Sequence, residues 1–170
     1  MPISTNYLES ILKELHDYKG LGDKTFAQLN EAEMHFQPNE ECNSVAINIQ
    51  HMHGNMLSRW TNFLEEDGEK KWRQRDAEFE IKNLSKEQLI NLWEEGWKVV
   101  FDALESITKN DLKKMITIRS KPLTVVDAIN RQLAHYAYHV GQIVLLGKWV
   151  RGKDWQTLSI PRAKPFQFNK

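Results

Sequence analysis

Four stretches of this chain repeat apolar residues at intervals of three and four, and that period leaves few folds open. The first carries Tyr7, Leu8, Ile11, Leu12, Leu15 and Tyr18; the second carries Ile49, Met52, Met56, Trp60 and Phe63. Leu89, Leu92, Trp93, Trp97, Val100, Phe101 and Leu104 form the third, and the fourth runs from Thr124 to about Arg151. Four long amphipathic helices with medium connections predict an all-α four-helix bundle. At 170 residues, 41% of them hydrophobic, the chain is long enough for one domain over 1–170 with a real core.

Punctuation residues set the expected boundaries. Ser4 is placed to cap helix one, whose stripe continues through Leu21, Phe26 and Leu29 to about Asn30. Gly20 and Gly22 each weaken that helix by roughly 1 kcal/mol relative to Ala, which leaves room for a kink there. A polar connection, Glu31 to Asn43, leads to Ser44 as N-cap of helix two, expected to reach about Glu65. Ser85, with Glu87 and Gln88 in the first turn, opens helix three, and Thr124-x-x-Asp127 opens helix four, which Gly152 stops. Between them Met115-Ile116-Thr117-Ile118 alternates in the manner of a small strand or hairpin. The tail, with Pro161 and Pro165, is expected to be irregular and to lie over the bundle.

Within helix four, His135 and His139 stand four apart, about 40° around the axis and roughly 6 Å along it, so both rings can converge on one point. That is metal-ligand spacing; an exposed pair or a satisfied core pair is the competing reading. His51 in helix two offers a third imidazole, and His53, about 200° further round the same helix, competes for that place. Three neutral imidazoles leave coordination positions open, the arrangement of a catalytic site rather than a closed structural one. Asn55 and Arg59 lie one and two turns beyond His51, where Arg59 could fork onto an anionic substrate group; an ordinary salt bridge explains it equally well. Gln142, three past His139, is a candidate partner for a ligand ring. His16, His35 and the lone Cys42 are read as structural.

Other chemistries lack their residues. Tyr136, not Glu, follows the first histidine of the pair, so the zincin pattern fails, and no Glu-x-x-His unit of a di-iron bundle occurs. There is no Gly-x-Ser-x-Gly elbow, no phosphate-cradling glycine loop and no cysteine cluster. Lys and Arg number 23 against 23 Asp and Glu, so neither nucleic acid nor an anionic membrane is an expected partner. In the dense connection Glu69 to Glu80, acidic residues cancel Lys70, Lys71, Arg73 and Arg75, leaving a salt-bridged link with aromatic anchors or a rim to the site. With one cysteine, no apolar run of membrane length and no signal-peptide pattern, the cytoplasm is the expected location.

The histidine of the second helix, the His-x3-His of the fourth, and the motifs Gly54-Asn55-Met56, Ser58-Arg59-Trp60-Thr61, Asp67-Gly68-Glu69-Lys70, Trp72-Arg73 and Arg131 to Ile143 resemble a functionally uncharacterised bacterial branch of the DinB-like superfamily. That superfamily comprises metal-binding four-helix bundles, among them the bacillithiol and mycothiol S-transferases. The resemblance implies His51, His135 and His139 as ligands of a divalent ion, zinc or nickel first, with iron and copper open. It implies a transferase that passes a small-molecule thiol to an electrophile, with Asn55, Arg59 and Tyr138 as candidates for the substrate wall, and a homodimer. A metal-water hydrolase is the alternative enzyme. A non-catalytic, metal-stabilised dimeric bundle acting through protein interaction is the alternative outside enzymes, and the six tryptophans are its support.

Overall fold

The computed structural model describes residues 2–161 and is mostly helical. Its helices are α1 (Ile3–Phe26), α2 (Glu31–Met34), α3 (Val45–Trp60), α4 (Lys86–Ser106) and α5 (Val125–Arg151). Strands β1 (Met115–Ile118) and β2 (Lys121–Thr124) form a two-stranded antiparallel hairpin between α4 and α5, where the alternating sequence placed it. Of the tail, Pro165 lies outside the described residues.

Helix ends follow local hydrogen-bond accounting. Ser44 Oγ accepts the Ile47 N–H at 3.1 Å, while Ser85/Gln88 and Thr124/Asp127 form capping boxes, as their spacing predicts. Ser4 does not cap α1. The carbonyl of Pro2, one residue outside the helix, takes the Thr5 and Asn6 N–H groups at 3.1 Å each, so Ser4 falls within the first turn. At the other end α1 stops at Phe26 rather than Asn30, because Asn30 and Glu33 close a capping box that starts α2 inside the segment read as a polar connection. Gly22 lies within an unbroken α1 and marks a close approach: a Cβ there would overlap the Trp93 indole. α3 ends at Trp60, short of Glu65, since Asn62 adopts φ 47° and turns the chain.

α3 packs chiefly on α4, α1 on α5, and α3 also meets α5. Between them lie Leu15, Ile49, Met52, Met56, Trp93, Trp97, Ile129, Tyr136 and Ile143, each worth about 1.5–3 kcal/mol on burial. Trp60, Trp93 and Trp97 account for half of the tryptophans as core, whereas Trp72 and Trp149 are exposed. α3 is unusual in being buried nearly all round, with Asn48, Gln50, His51, Asn55, Ser58 and Arg59 among its buried residues. A helix with that many buried polar groups must find partners for them, and those partners build the site.

Candidate metal centre and the arginine-lined cavity

His51 reaches inward from α3 and His135 and His139 from α5. Nε2 of His135 lies 3.3 Å from Nε2 of His51 and 3.1 Å from Nε2 of His139. One ligand nitrogen from each ring falls within 4.8 Å of the other two. Two nitrogens bound at about 2.05 Å to a tetrahedral ion stand about 3.3 Å apart, so these separations match the edges of a coordination polyhedron. His53 is turned away, with Nε2 2.9 Å from Glu95 on α4, and His51 takes the third place.

Proton accounting favours a cation at the meeting point. Nδ1 of His51 donates to Glu78 Oε2 at 2.9 Å and Nδ1 of His139 donates to Asn48 Oδ1 at 2.8 Å. The orientation of Asn48 is fixed, because its Nδ2 donates to the Ser44 carbonyl at 2.9 Å. In their neutral forms His51 and His139 therefore present bare lone pairs at Nε2. His135 has one proton to offer, so at least one pair of facing nitrogens has no hydrogen between them. Its Nδ1 is buried and has no partner among the described residues. Burial, then the neighbouring His139 and His51, push His135 down to about 3, while burial and then His51 push His139 down to about 4. Neutral imidazoles with converging lone pairs are the donor set that zinc, nickel, iron or copper takes.

Glu78 belongs to the 3-10 turn Asp76–Glu78 and is clamped by Arg73, whose Nε and Nη2 donate at 2.7 and 2.8 Å. Burial raises its carboxyl, but the bonds from Arg73 and His51 outweigh that and hold it below the usual range. Phe79 packs its ring 4.6 Å from that of His51. The charged connection thus lays one edge of itself on the site.

Beside the histidines is a cavity of about 210 Å³ lined by His51, His135, Asn55, Gln132 and five arginines, Arg59, Arg73, Arg75, Arg119 and Arg131. A larger hollow of 610 Å³ near Lys24 and Arg151 has no metal-ligating cluster among the described residues. Asn55 accepts from the Tyr136 hydroxyl at 3.4 Å, which in turn accepts from Trp60 Nε1 at 2.8 Å. Arg59 pairs with Glu69 at 3.1 Å and donates to the Gly68 carbonyl, so it makes a salt bridge while also lining the cavity. Burial and then the Arg73 charge lower its guanidinium from its ordinary value.

A family model described as "Protein of unknown function (DUF1572)" matches residues 2–164. The chain belongs to the DUF1572 family. No curated protein and no solved structure matches it. In this DUF1572 protein the spacing of His135 and His139 foretold their convergence, whereas the choice between His51 and His53 was open in the sequence and is made by the packing of α3. Glu78 and Asn48 carried no such signal, because each acts across the fold on a ring far away in sequence, and Arg73 matters only through Glu78, five residues on. Gln142 makes no hydrogen bond to the histidines, and Asn48 does that work for His139. Tyr138 is 65% exposed with its ring 5.1 Å from that of His139, and it does not line the arginine-rich cavity.

Proposed function

We propose that this DUF1572 protein is a DinB-like four-helix bundle that holds one divalent ion on His51, His135 and His139 and transfers a small-molecule thiol to an electrophile. The observation that carries the reading is the convergence of three Nε2 atoms at ligand-edge spacing beside an open, polar cavity. The resemblance to the bacillithiol and mycothiol S-transferases supplies the reaction class. An ion held there would supply Lewis acidity, lowering the pKa of a coordinated thiol or water toward neutrality. The residues of the chain do the rest. Glu78 and Asn48 fix the tautomers of His51 and His139 so that their lone pairs face one point. Arg73 keeps Glu78 ionised, and Asn55 presents an amide to whatever enters the cavity. In the overall reaction the S–H bond breaks, its proton passes to solvent, an S–C bond forms, and the leaving group departs with its bonding pair.

A second reading, a metal-stabilised bundle that works by self-association, is favoured by one surface. Tyr138, Leu145 and Trp149 are exposed on α5 at spacings of seven and four, a stripe within about 40° of arc. One experiment separates the two. Zinc- or nickel-reconstituted protein and chelator-stripped protein are each given cysteine or glutathione with alkylating electrophiles, and thiol loss is followed. Metal-dependent thiol consumption that is lost in His139→Ala supports the transferase. No consumption, with a loss of tens of degrees in Tm on chelation, supports the second reading.

A further inference from the structure

The overall charge of the chain is zero, yet five of its arginines surround one small cavity. Two carboxylates pair with them closely: Glu69 with Arg59 and Arg119 at 3.1 and 2.8 Å, and Glu78 with Arg73 at 2.7 Å. Asp76 meets Arg75 at 3.3 Å on a side chain that is 99% exposed, where water screens it. Arg131 has no carboxylate within ion-pair distance among the described residues. The five guanidinium groups therefore outnumber the three carboxylates that pair with them, Glu69, Glu78 and the exposed Asp76; the buried Arg59 and Arg73 are each paired, and the excess lies with Arg75, Arg119 and Arg131, which are exposed at the mouth. Buried polar atoms in the same wall are also unused: Arg59 Nε and Gln132 Oε1 have no hydrogen-bond partner, although the two residues are only 6% and 3% exposed.

We infer that this cavity is an anion subsite, which takes a compact group of two or more negative charges, a phosphate monoester or a dicarboxylate, on the substrate whose reacting atom lies at the three histidines. The inference rests on the metal-site reading for what lies next door, but the subsite stands on the arginines alone. Its volume, 210 Å³, is below the roughly 300–1,000 Å³ of pockets that enclose drug-sized ligands, so it suits one charged head with the rest of the molecule outside. Guanidinium forks match phosphate and carboxylate oxygens two at a time, which a ring of lysines would not do. Gln132, between Arg131 and the histidines in sequence on α5, offers an amide to the same group.

The test is calorimetric titration of inorganic phosphate, succinate and acetate into wild type and into Arg131→Gln and Arg75→Gln, each in zinc-reconstituted and chelator-stripped form. Both arginines are exposed at the cavity mouth, so both variants keep the fold. Expected is binding of phosphate or succinate, but not acetate, to both forms of wild type, weakened about tenfold in Arg131→Gln and further by raised salt. Whichever of the two dianions binds more tightly identifies the headgroup. Anion binding by protein that takes up no zinc would uphold the subsite and sink the metal reading. Binding that needs zinc and ignores both arginine substitutions would place the anion on the ion and overturn the subsite, as would no binding in either form.

Discussion

Glu78 shows how much of the site hangs on a residue that no spacing rule points to. It lies 27 positions from His51 in a stretch where both charge signs crowd together, yet its carboxylate fixes the imidazole proton and is itself fixed by Arg73. Such partners tune ligand basicity and orientation, and losing one typically costs ten- to a hundredfold in metal affinity. Glu78→Gln keeps the shape and removes the charge. Metal affinity measured by competition with a chromophoric chelator is therefore expected to fall by about that factor, with the far-ultraviolet circular dichroism unchanged; unaltered affinity would mean Glu78 serves packing only. His135 and His139 were legible at this scale because helix geometry converts a four-residue spacing into a shared face, whereas His51 was one of two candidates on its helix. Glu78 and Asn48 were not, because pairing across the fold leaves no periodic trace.

At the scale of elements, the hairpin is what brings Arg119 to the cavity. Arg119 and Ser120 turn with φ of 55° and 59°, a conformation that costs energy without glycine, and Asp67 offsets it by accepting both their N–H groups at 2.9 and 2.8 Å. Burial raises the Asp67 carboxyl, but these bonds and that of the Glu69 N–H bring it down to about 2 from an ordinary 3.8. With the folded value depressed, the unfolded chain binds more protons between those limits. The stabilisation is thus complete above about 3.8 and is lost as the pH falls toward about 2. Urea midpoints of wild type and Asp67→Asn should differ at pH 6 and converge by pH 2; a gap independent of pH would refute this role. The helix starts at Ser44, Ser85 and Thr124 were readable because a cap is a local event. The end of α3 and the existence of α2 were not, since Asn62 and Asn30 fit several local conformations and only the surrounding contacts select one.

For the whole molecule, periodicity told what kind of chain this is: mostly helical, with one small hairpin in the expected gap. Composition, being an average, hid the most telling electrostatic feature, five arginines facing one cavity in a chain of zero net charge. The buried polar face of α3 explains why both belong to one account, since Asn48, His51, Asn55 and Arg59 on that helix bring the clustered histidine rings and the cavity wall to the same place. The central claim is that three imidazoles share an ion. Elemental analysis by plasma mass spectrometry, on protein purified without a nickel column, tests it most directly. The account predicts about one divalent ion per chain in wild type and less than about a tenth of that in folded His135→Ala and His139→Ala. Wild type that stays metal-free after dialysis against zinc, nickel and iron, or variants that hold as much metal as wild type, would contradict it.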